Sequence, residues 1–314
     1  MTRLTAQIPE EMAGMRLDQV LAELFSDYSR SKLQTWLKAG RVSVNGASLK
    51  AKDKVEGGET VDLDAEAEVV IECEAEPIPL DIVHEDASLL IVNKPAGLVV
   101  HPAAGNWTGT LQNALLNHVP ALETLPRAGI VHRIDKDTSG LLMIAKTLQA
   151  HHSLVQQLQE RTIEREYLAI TKGRIIAGGT IDEPIGRHPT DRKRYAVRYN
   201  GKEAVTHYRV VERFARHTLI RVKLETGRTH QIRVHMAHVH FPLIGDPVYG
   251  GRFQLPPDCS EALETALRNF KRQALHAEKL GLIHPETQHY CEWTQPLPDD
   301  MSGLLAALRE NEPS

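Results

Sequence analysis

Cysteine is scarce: the chain has three, Cys73, Cys259 and Cys291, and none lies in a CxxC pair. An odd, widely spaced set supports neither a disulfide framework nor a zinc site, and it fits a reducing cytoplasm. No run of about 18 apolar residues occurs, so no membrane-spanning helix is expected. The opening stretch "MTRLTAQIPEEMAGMRLDQ" has no apolar core and carries acidic residues, so it does not read as a secretory signal. Internal repeats and low-complexity tracts are absent. A net charge of −4 excludes an indiscriminately basic coat for nucleic acid.

Averages hide patches. The 314 residues are 41% hydrophobic and 25% charged, ordinary for a globular protein and long enough for two domains. Ser29–Lys54 carries Arg30, Lys32, Lys38, Arg41, Lys50, Lys52 and Lys54 against Asp53 alone, whereas Val55–Glu76 has no Lys or Arg. A second cluster is Arg187, Arg192, Lys193, Arg194 and Arg198. One such cluster is ordinarily a solvated face, and two in one chain point toward a polyanionic partner.

Leu17, Val20, Leu21, Leu24 and Phe25 recur at helical spacing and predict a helix over about Arg16–Ser26. A second helix is predicted with Ser31 as its cap, Leu33, Trp36 and Leu37 facing inward, and Gly40 as its stop. "RVSVNGASL" alternates Val42 and Val44 before Asn45-Gly46, a strong hairpin signal. Two short helices and a hairpin make a unit of about Met15–Asp64, and this unit resembles the S4 RNA-binding domain. The resemblance implies that Arg30, Lys32, Lys38 and Arg41 meet structured RNA.

"AEAEVVIECEAEPIPL" is acidic, ends in Pro77 and Pro79, and reads as a linker or connecting strand. The expected division is therefore a small α/β RNA-binding domain with its linker over 1–76 and a larger domain over 77–314. In the larger part, strand-like runs recur: "LDIVHE", "SLLIVNK", "GLLMIAKT", "REYLAITKG", "THYRVVERF" and "HTLIRVKLE". Helical patterns interrupt them around Thr110–His118, Leu148–Arg161 and His230–His238, without regular alternation. That predicts an α+β fold on a mixed, mainly antiparallel sheet. A short acidic terminal helix capped by Ser302 is expected in "DDMSGLLAALRENEPS".

Three stretches of this larger part concentrate polar residues. In "VHRIDKDTSG", Asp135, Asp137, Ser139 and Gly140 match the first, third, fifth and sixth positions of a calcium loop, but the twelfth is Lys146. A cation where the bidentate Glu must stand excludes calcium. "EREYLAI" places Tyr167 at the start of a strand. "ETGRTHQIRVHM" turns into a helix with Thr229 as the expected N-cap and Arg233 in the first turns. His235, His238 and His240 lack a fourth ligand or HExxH spacing, so no metal site is assigned. A structural ion pair between an Asp of the first stretch and an Arg of the third is the plain alternative to a catalytic role.

Taken together, "HRIDKDTSGLL", "REYLA" and "GRTHQIRVHM", with "VNKPAGLVVHP" upstream, resemble the RluA family of pseudouridine synthases over about Leu80–Leu297. That resemblance implies an isomerase that breaks the N–C glycosidic bond of uridine, rotates the base and rejoins it through carbon, without cofactor or metal. It implies Asp135 as the catalytic aspartate, through attack at C1′ or deprotonation at C2′, both of which the sequence leaves open. A carboxylate is already ionised at neutral pH, which suits a nucleophile. The resemblance further implies that Arg233 pairs with that aspartate, that Tyr167 stacks on the target base, and that Arg133 fills the space left by a flipped nucleotide. Asp137 and His132 read as loop structure. The S4-like front module and the "PLPDDM" ending imply uridines in a hairpin loop of 23S ribosomal RNA, or of a large-subunit precursor, as the target of a cytoplasmic monomer. A different RNA site remains open, and a non-catalytic RNA binder or a glycosidase is the rival class; the glycosidase lacks a convincing second acid.

Overall fold

The structure, a computed structural model, describes residues 2–25, 28, 30–65, 73–102, 106–191, 194–257 and 259–312. It divides into two units, Met1–Glu72 and Cys73–Ser314. The first holds β1 (Thr2–Gln7), α1 (Leu17–Leu24), α2 (Arg30–Lys38), β2 (Val42–Val44) and β3 (Thr60–Ala65). A three-stranded antiparallel sheet, ordered β1-β3-β2, covers the helices. Leu17, Val20, Leu21, Leu33, Trp36 and Leu37 are buried against Val42, Val44, Val61 and Leu63. The inward faces of both helices are those the spacing predicts.

Three local expectations for this unit change. Strand β1 was not anticipated, and it pairs along the whole of β3, whereas β2 pairs with three of its residues. Ser31 lies inside α2 rather than capping it. Asn45 and Gly46 do form a tight turn, with φ of 47° and 79°, but the chain after it keeps only a single bridge, Val44 to Ala47. The partner of β2 is β3, reached after a further loop. Side-chain expectations for Arg30 and Lys32, the cations Arg192 and Lys193, and residues 66–72 of the acidic linker lie outside the described residues.

The second unit begins four residues before the expected boundary, because Glu74 and Glu76 are tied to it. Asn113 Nδ2 donates to Glu74 O at 2.7 Å, and Gly109 N donates to Glu76 Oε1 at 2.9 Å. Its elements are β4 (Ile82–Glu85), β5 (Leu89–Lys94), α3 (Leu111–His118), β6 (Ser139–Ala145), α4 (Leu148–Gln159), β7 (Glu164–Lys172), β8 (Gly179–Asp182), β9 (Ile185–Arg187) and β10 (Tyr195–Val197). There follow β11 (Val205–Arg213), β12 (His217–Leu224), α5 (Gln231–His238), α6 (Glu261–Asn269), β13 (Leu275–Ile283), β14 (Tyr290–Thr294) and α7 (Asp299–Glu310).

Nine of these strands form one mixed sheet ordered β4-β5-β6-β13-β7-β12-β11-β8, with β14 also on β13. Only the β13–β6 pairing is parallel. Alternate residues face opposite ways along a strand, and along β5, β6 and most of β7 both faces are covered. Leu90, Val92, Leu142, Ile144, Tyr167 and Ala169 pack with α3 and α5. Leu89, Ile91, Leu141 and Met143 pack on α4, while Leu168, Ile170 and Leu219 pack on α6 and α7. Double coverage explains why β6 reads as an unbroken apolar run, with all seven residues buried. The terminal helix starts at Asp299, not at Ser302, whose hydroxyl donates to Leu297 O. Among the described residues no helix is long and apolar enough to cross a membrane.

Gly140, where the polar stretch "HRIDKDTSG" enters β6, has φ +112° and lies opposite Ala277 of β13. A Cβ there would stand 2.3 Å from Ala277 O and 2.6 Å from its N. Glycine therefore permits the one parallel crossing of the sheet. Gly140→Ala is expected to destabilise the second unit by roughly 2–6 kcal/mol, combining backbone strain with an overpacked contact. Urea unfolding measures this, and a loss below about 0.5 kcal/mol, the range of an ordinary surface change, would contradict it.

Candidate active site

The backbone of "HRIDKDTSG" is tied from several directions. Thr138 N donates to Asp135 O at 3.1 Å, closing a turn, and Gly97 N donates to Lys136 O at 2.9 Å. Lys94, 1% exposed, donates to the carbonyls of Pro95, Leu98 and Lys136 at 2.7, 3.0 and 2.8 Å. Burial pulls its pKa down to about 7, against the attraction of Asp137 and Asp135. Three carbonyls accept fully only from the ammonium form, so this cage opposes the shift. From the other side Arg272 Nη1 donates to Asp137 O at 3.1 Å. Asp137 thus serves the loop through its backbone. His132 also acts locally, its Nε2 accepting from Met143 N at 3.0 Å. Burial lowers its pKa to about 3, so the ring stays neutral. Asp135 is presented at the head of a fixed turn.

Facing it, Arg233 in the first turn of α5 divides its guanidinium between two carboxylates. Nε and Nη2 donate to Asp246 Oδ2 and Oδ1 at 2.7 and 3.0 Å, and Nη1 donates to Asp135 Oδ2 at 2.9 Å. The Asp246 side chain is wholly buried. Its Oδ1 also accepts from Val248 N and Tyr249 N, at 2.8 and 2.9 Å. Burial alone would lower the pKa of Arg233, but Asp246, and then Asp135, raise it above the ordinary value. Burial would likewise raise Asp246, and the Arg233 bonds hold its carboxyl below the usual range.

The helix does not start as the sequence suggests. Its N-cap is His230, in the left-handed region at φ 57°, and not Thr229. No side chain caps the helix; Gln231 Oε1 instead accepts from Arg228 N at 3.0 Å, tying the first helical residue back to the turn before it. Tyr249 Oη accepts from Tyr195 N at 2.9 Å and so gives its own proton to His230 Nδ1, 2.8 Å away. That tautomer leaves His230 Nε2–H 4.0 Å from Asp135 Oδ1. Burial lowers the pKa of His230 and favours the neutral ring.

Tyr167, 7% exposed, lines a cavity of about 100 Å³ with Asp135, Arg133, His230 and Arg233. Burial raises its phenol pKa; Arg165 pulls the other way and Asp135 adds to the rise. An adjoining cavity of about 760 Å³ shares Arg133 and Arg165 with the first. The smaller is well below an ordinary ligand pocket of roughly 300–1,000 Å³ and suits one flat ring.

Asp135, Tyr167 and Arg233 are thus brought together from three separate stretches, with exposed Arg133 at the edge. Lys38 and Arg41 belong to the other unit. Sequence reasoning missed Asp246, His230, Tyr249 and Lys94. One signal was available for Asp246, which is the only charged residue in "FPLIGDPVYG".

Metal ligation finds little support among the described residues. His235 bonds Thr206 Oγ1 and Glu183 O through its two nitrogens, at 2.9 Å each. His84, Asp86 and His284 are close enough to share an ion. However, His284 Nδ1 accepts from Glu286 N and Thr287 N, so its Nε2 carries the proton and donates to Asp86. A ring so fixed has no lone pair for a metal.

Comparison with known proteins identifies the family. A model of the RNA pseudouridylate synthase family matches residues 88–238, and one of the S4 domain matches residues 15–61. Ribosomal large subunit pseudouridine synthase D of Pseudomonas aeruginosa is 56% identical over 311 residues, covering 99% of this chain and 97% of that protein. The protein of the same name from Escherichia coli (strain K12) is 55% identical over 308 residues, covering 98% and 94%. Human RNA Pseudouridylate Synthase Domain Containing 4 superposes with a TM-score of 0.57 at 26% identity, over 73% of this chain and 92% of that one. Human RNA Pseudouridylate Synthase Domain Containing 1 gives 0.55 at 26% identity, over 75% and 96%. The chain belongs to the RNA pseudouridylate synthase family and carries an S4 domain in front. It is accordingly an isomerase acting on RNA.

Asp246→Ala is expected to cost about 3–5 kcal/mol, since it strips most of the partner from a buried guanidinium. The sign with pH follows from the lowered carboxyl. Asp246 contributes its stability in full above the unfolded value of about 3.9, and loses it as pH falls below that through the folded value. Urea unfolding of wild type and variant is expected to differ by a constant amount from pH 8 to pH 5. The gap narrows below about pH 4. A gap that widens toward acid would contradict the assignment.

Proposed function

We propose that the chain converts uridines of large-subunit ribosomal RNA to pseudouridine, with Asp135 as nucleophile, Arg233 as its partner and Tyr167 against the target base. The observation that carries this reading is the divided guanidinium. Because Asp246 takes two of its donors, Arg233 meets Asp135 through one N–H, and that bond falls on Oδ2. Oδ1 carries no hydrogen bond among the described residues, with His230 Nε2 4.0 Å away, and Asp135 lines the small cavity, where a flipped uracil can enter with its ribose toward the carboxylate. Attack of Asp135 on C1′ opens the N1–C1′ bond, and attack of C5 on C1′ then breaks that ester and restores the carboxylate, so no electrons pass to or from an outside group and the residues of this chain suffice. Protonation of N1 and loss of the C5 proton complete the isomerisation.

Tyr167 contributes a flat face at the end of the cavity, and burial keeps its hydroxyl neutral. It serves proton removal only as a relay, giving up its own proton as it accepts another. Arg133 is exposed beside the cavity and fits the space the flipped nucleotide leaves in the RNA. In the S4 unit, buried Leu33, Trp36 and Leu37 fix one face of α2, so exposed Lys38 stays on the solvent side, with Arg41 just beyond the helix. These two, with Arg30 and Lys32, supply phosphate contacts to structured RNA. The ribosomal target follows from the names of the relatives, and a cytoplasmic monomer is the form proposed.

Asp135→Asn keeps shape and removes the nucleophile. It is expected to bind RNA as wild type does and to release no tritium from 5-tritiated uridine in a large-subunit RNA hairpin. Tyr167→Phe keeps the stacking face, and its turnover is expected to fall by about 10²–10⁴ with binding retained, the usual weight of a positioned proton-transfer group. Wild-type turnover by Asp135→Asn would sink the mechanism, and wild-type turnover by Tyr167→Phe would reduce that ring to a platform. Failure of wild type to modify any ribosomal hairpin would remove the proposed target.

A further inference from the structure

Arg165 stands two residues before Tyr167 on β7, so both side chains fall on the same face of the sheet. It is 7% exposed. Among the described residues no carboxylate lies within ion-pair reach of it, and its Nε has no hydrogen-bond partner. Its one hydrogen bond among the described residues is a long one, Nη2 to Glu225 O at 3.4 Å. Gly227 makes room for it, since a Cβ there would come within 2.9 Å of Nη1. Buried charges are otherwise paired, and buried polar atoms nearly always find partners. A guanidinium packed into place and left unsatisfied is a site built for an anion.

The surroundings define which anion. Arg165 lines both the small cavity beside Asp135 and the larger one next to it. The larger wall carries Arg127, Arg133, Lys136, Arg161, Arg165 and Arg228 against one acid, Glu225. That acid is already engaged, by His207 at 2.6 Å and Arg161 at 3.6 Å. Exposed cations such as Arg133 and Lys136 have water for company, whereas Arg165 has very little. A planar fork also suits two oxygens of one phosphate better than a point charge does. We infer that Arg165 grips the phosphodiester next to the target uridine, on the boundary between base-sized and strand-sized cavities, and so sets the ribose over Asp135. This rests on the proposal that RNA is the substrate. Arg165 is a positioning residue: it touches the strand beside the reacting atoms and takes no part in bond changes.

The test uses the full chain and an RNA hairpin with one 5-tritiated target uridine. In two derivatives, a methylphosphonate neutralises the phosphate either 5′ or 3′ of that uridine. With wild type, one of the two is expected to lower kcat/KM by about 10- to 100-fold, as for the loss of a charged hydrogen bond. Arg165→Met is expected to show a similar loss on unmodified RNA and less than about a twofold further loss on that derivative, because one interaction cannot be removed twice. Arg165→Lys keeps charge without the fork and is expected to fall between. Arg133→Met retains the methylphosphonate effect. A purely structural arginine would lower Tm on truncation, whereas Arg165→Met is expected to melt at or above wild type, since no partner is left behind. Wild type indifferent to both derivatives, losses that multiply in Arg165→Met, or a Tm several degrees lower would each overturn the inference. Absence of tritium release from unmodified RNA by wild type is a different result, and would remove the RNA substrate itself.

Discussion

Arg233 is a permanent cation at 5% exposure, and such a charge survives burial only when its donors are matched. Two carboxylates match it. Asp246 takes the fork side-on through Nε and Nη2, which leaves Nη1 for Asp135. The count is one cation to two anions, so the catalytic candidate receives a single donor rather than a full bidentate pairing. A carboxylate held at one oxygen and open at the other combines orientation with reactivity. Were Asp246 missing, Arg233 would be free to offer Asp135 a second donor and cover the oxygen that faces the cavity.

The fold delivers these groups by local devices on a rigid sheet. Gly140 lets the Asp135 turn enter β6 alongside β13. Ser139 Oγ and His276 Nδ1, 3.0 Å apart, reinforce that crossing. At the other side, Gln231 Nε2 donates to Val205 O and Thr206 Oγ1, both at 2.9 Å, tying the start of α5 to β11. His230 occupies a left-handed conformation just before it. Backbone strain of that kind persists where surrounding bonds over-determine it, commonly at functional sites.

Much of this was legible in the chain. Buried strands such as "SLLIVNK" and "GLLMIAKT" announce themselves by unbroken apolar runs, and helices α3, α4 and α5 by their periodicity. Asp135, Tyr167 and Arg233 were marked by polar motifs rather than by any pattern of folding. Other features were hidden for physical reasons. Strand β13 carries Glu278 and Lys279 where its register with β7 shifts, which breaks the alternation a reader relies on. Its parallel neighbour β6 lies 137 positions earlier at the Ser139–His276 pair, and periodicity says nothing of partners so distant. The helix α6 was legible, with Ser260 as cap and Leu263 and Leu267 on its buried face, and was passed over. Caps at Ser31, Thr229 and Ser302 were misplaced because the nearest residue able to cap is not always the one that does. Arg165 looked like an ordinary basic residue in a strand; only its burial without a carboxylate partner among the described residues distinguishes it.

In the proposed mechanism catalysis depends on one guanidinium shared between Asp246 and Asp135, not simply on a positive charge beside the nucleophile. Arg233→Lys separates the two, because an ammonium keeps the charge but cannot reproduce the divided fork. RNA affinity and tritium release by this variant, measured at saturating RNA and with folding verified by its near-ultraviolet spectrum, give the most direct test. Affinity is expected within about twofold of wild type and turnover reduced on the order of 10²-fold, the usual consequence of misplacing a reactive group by about 1 Å. Turnover close to wild type in a folded Arg233→Lys enzyme would contradict it.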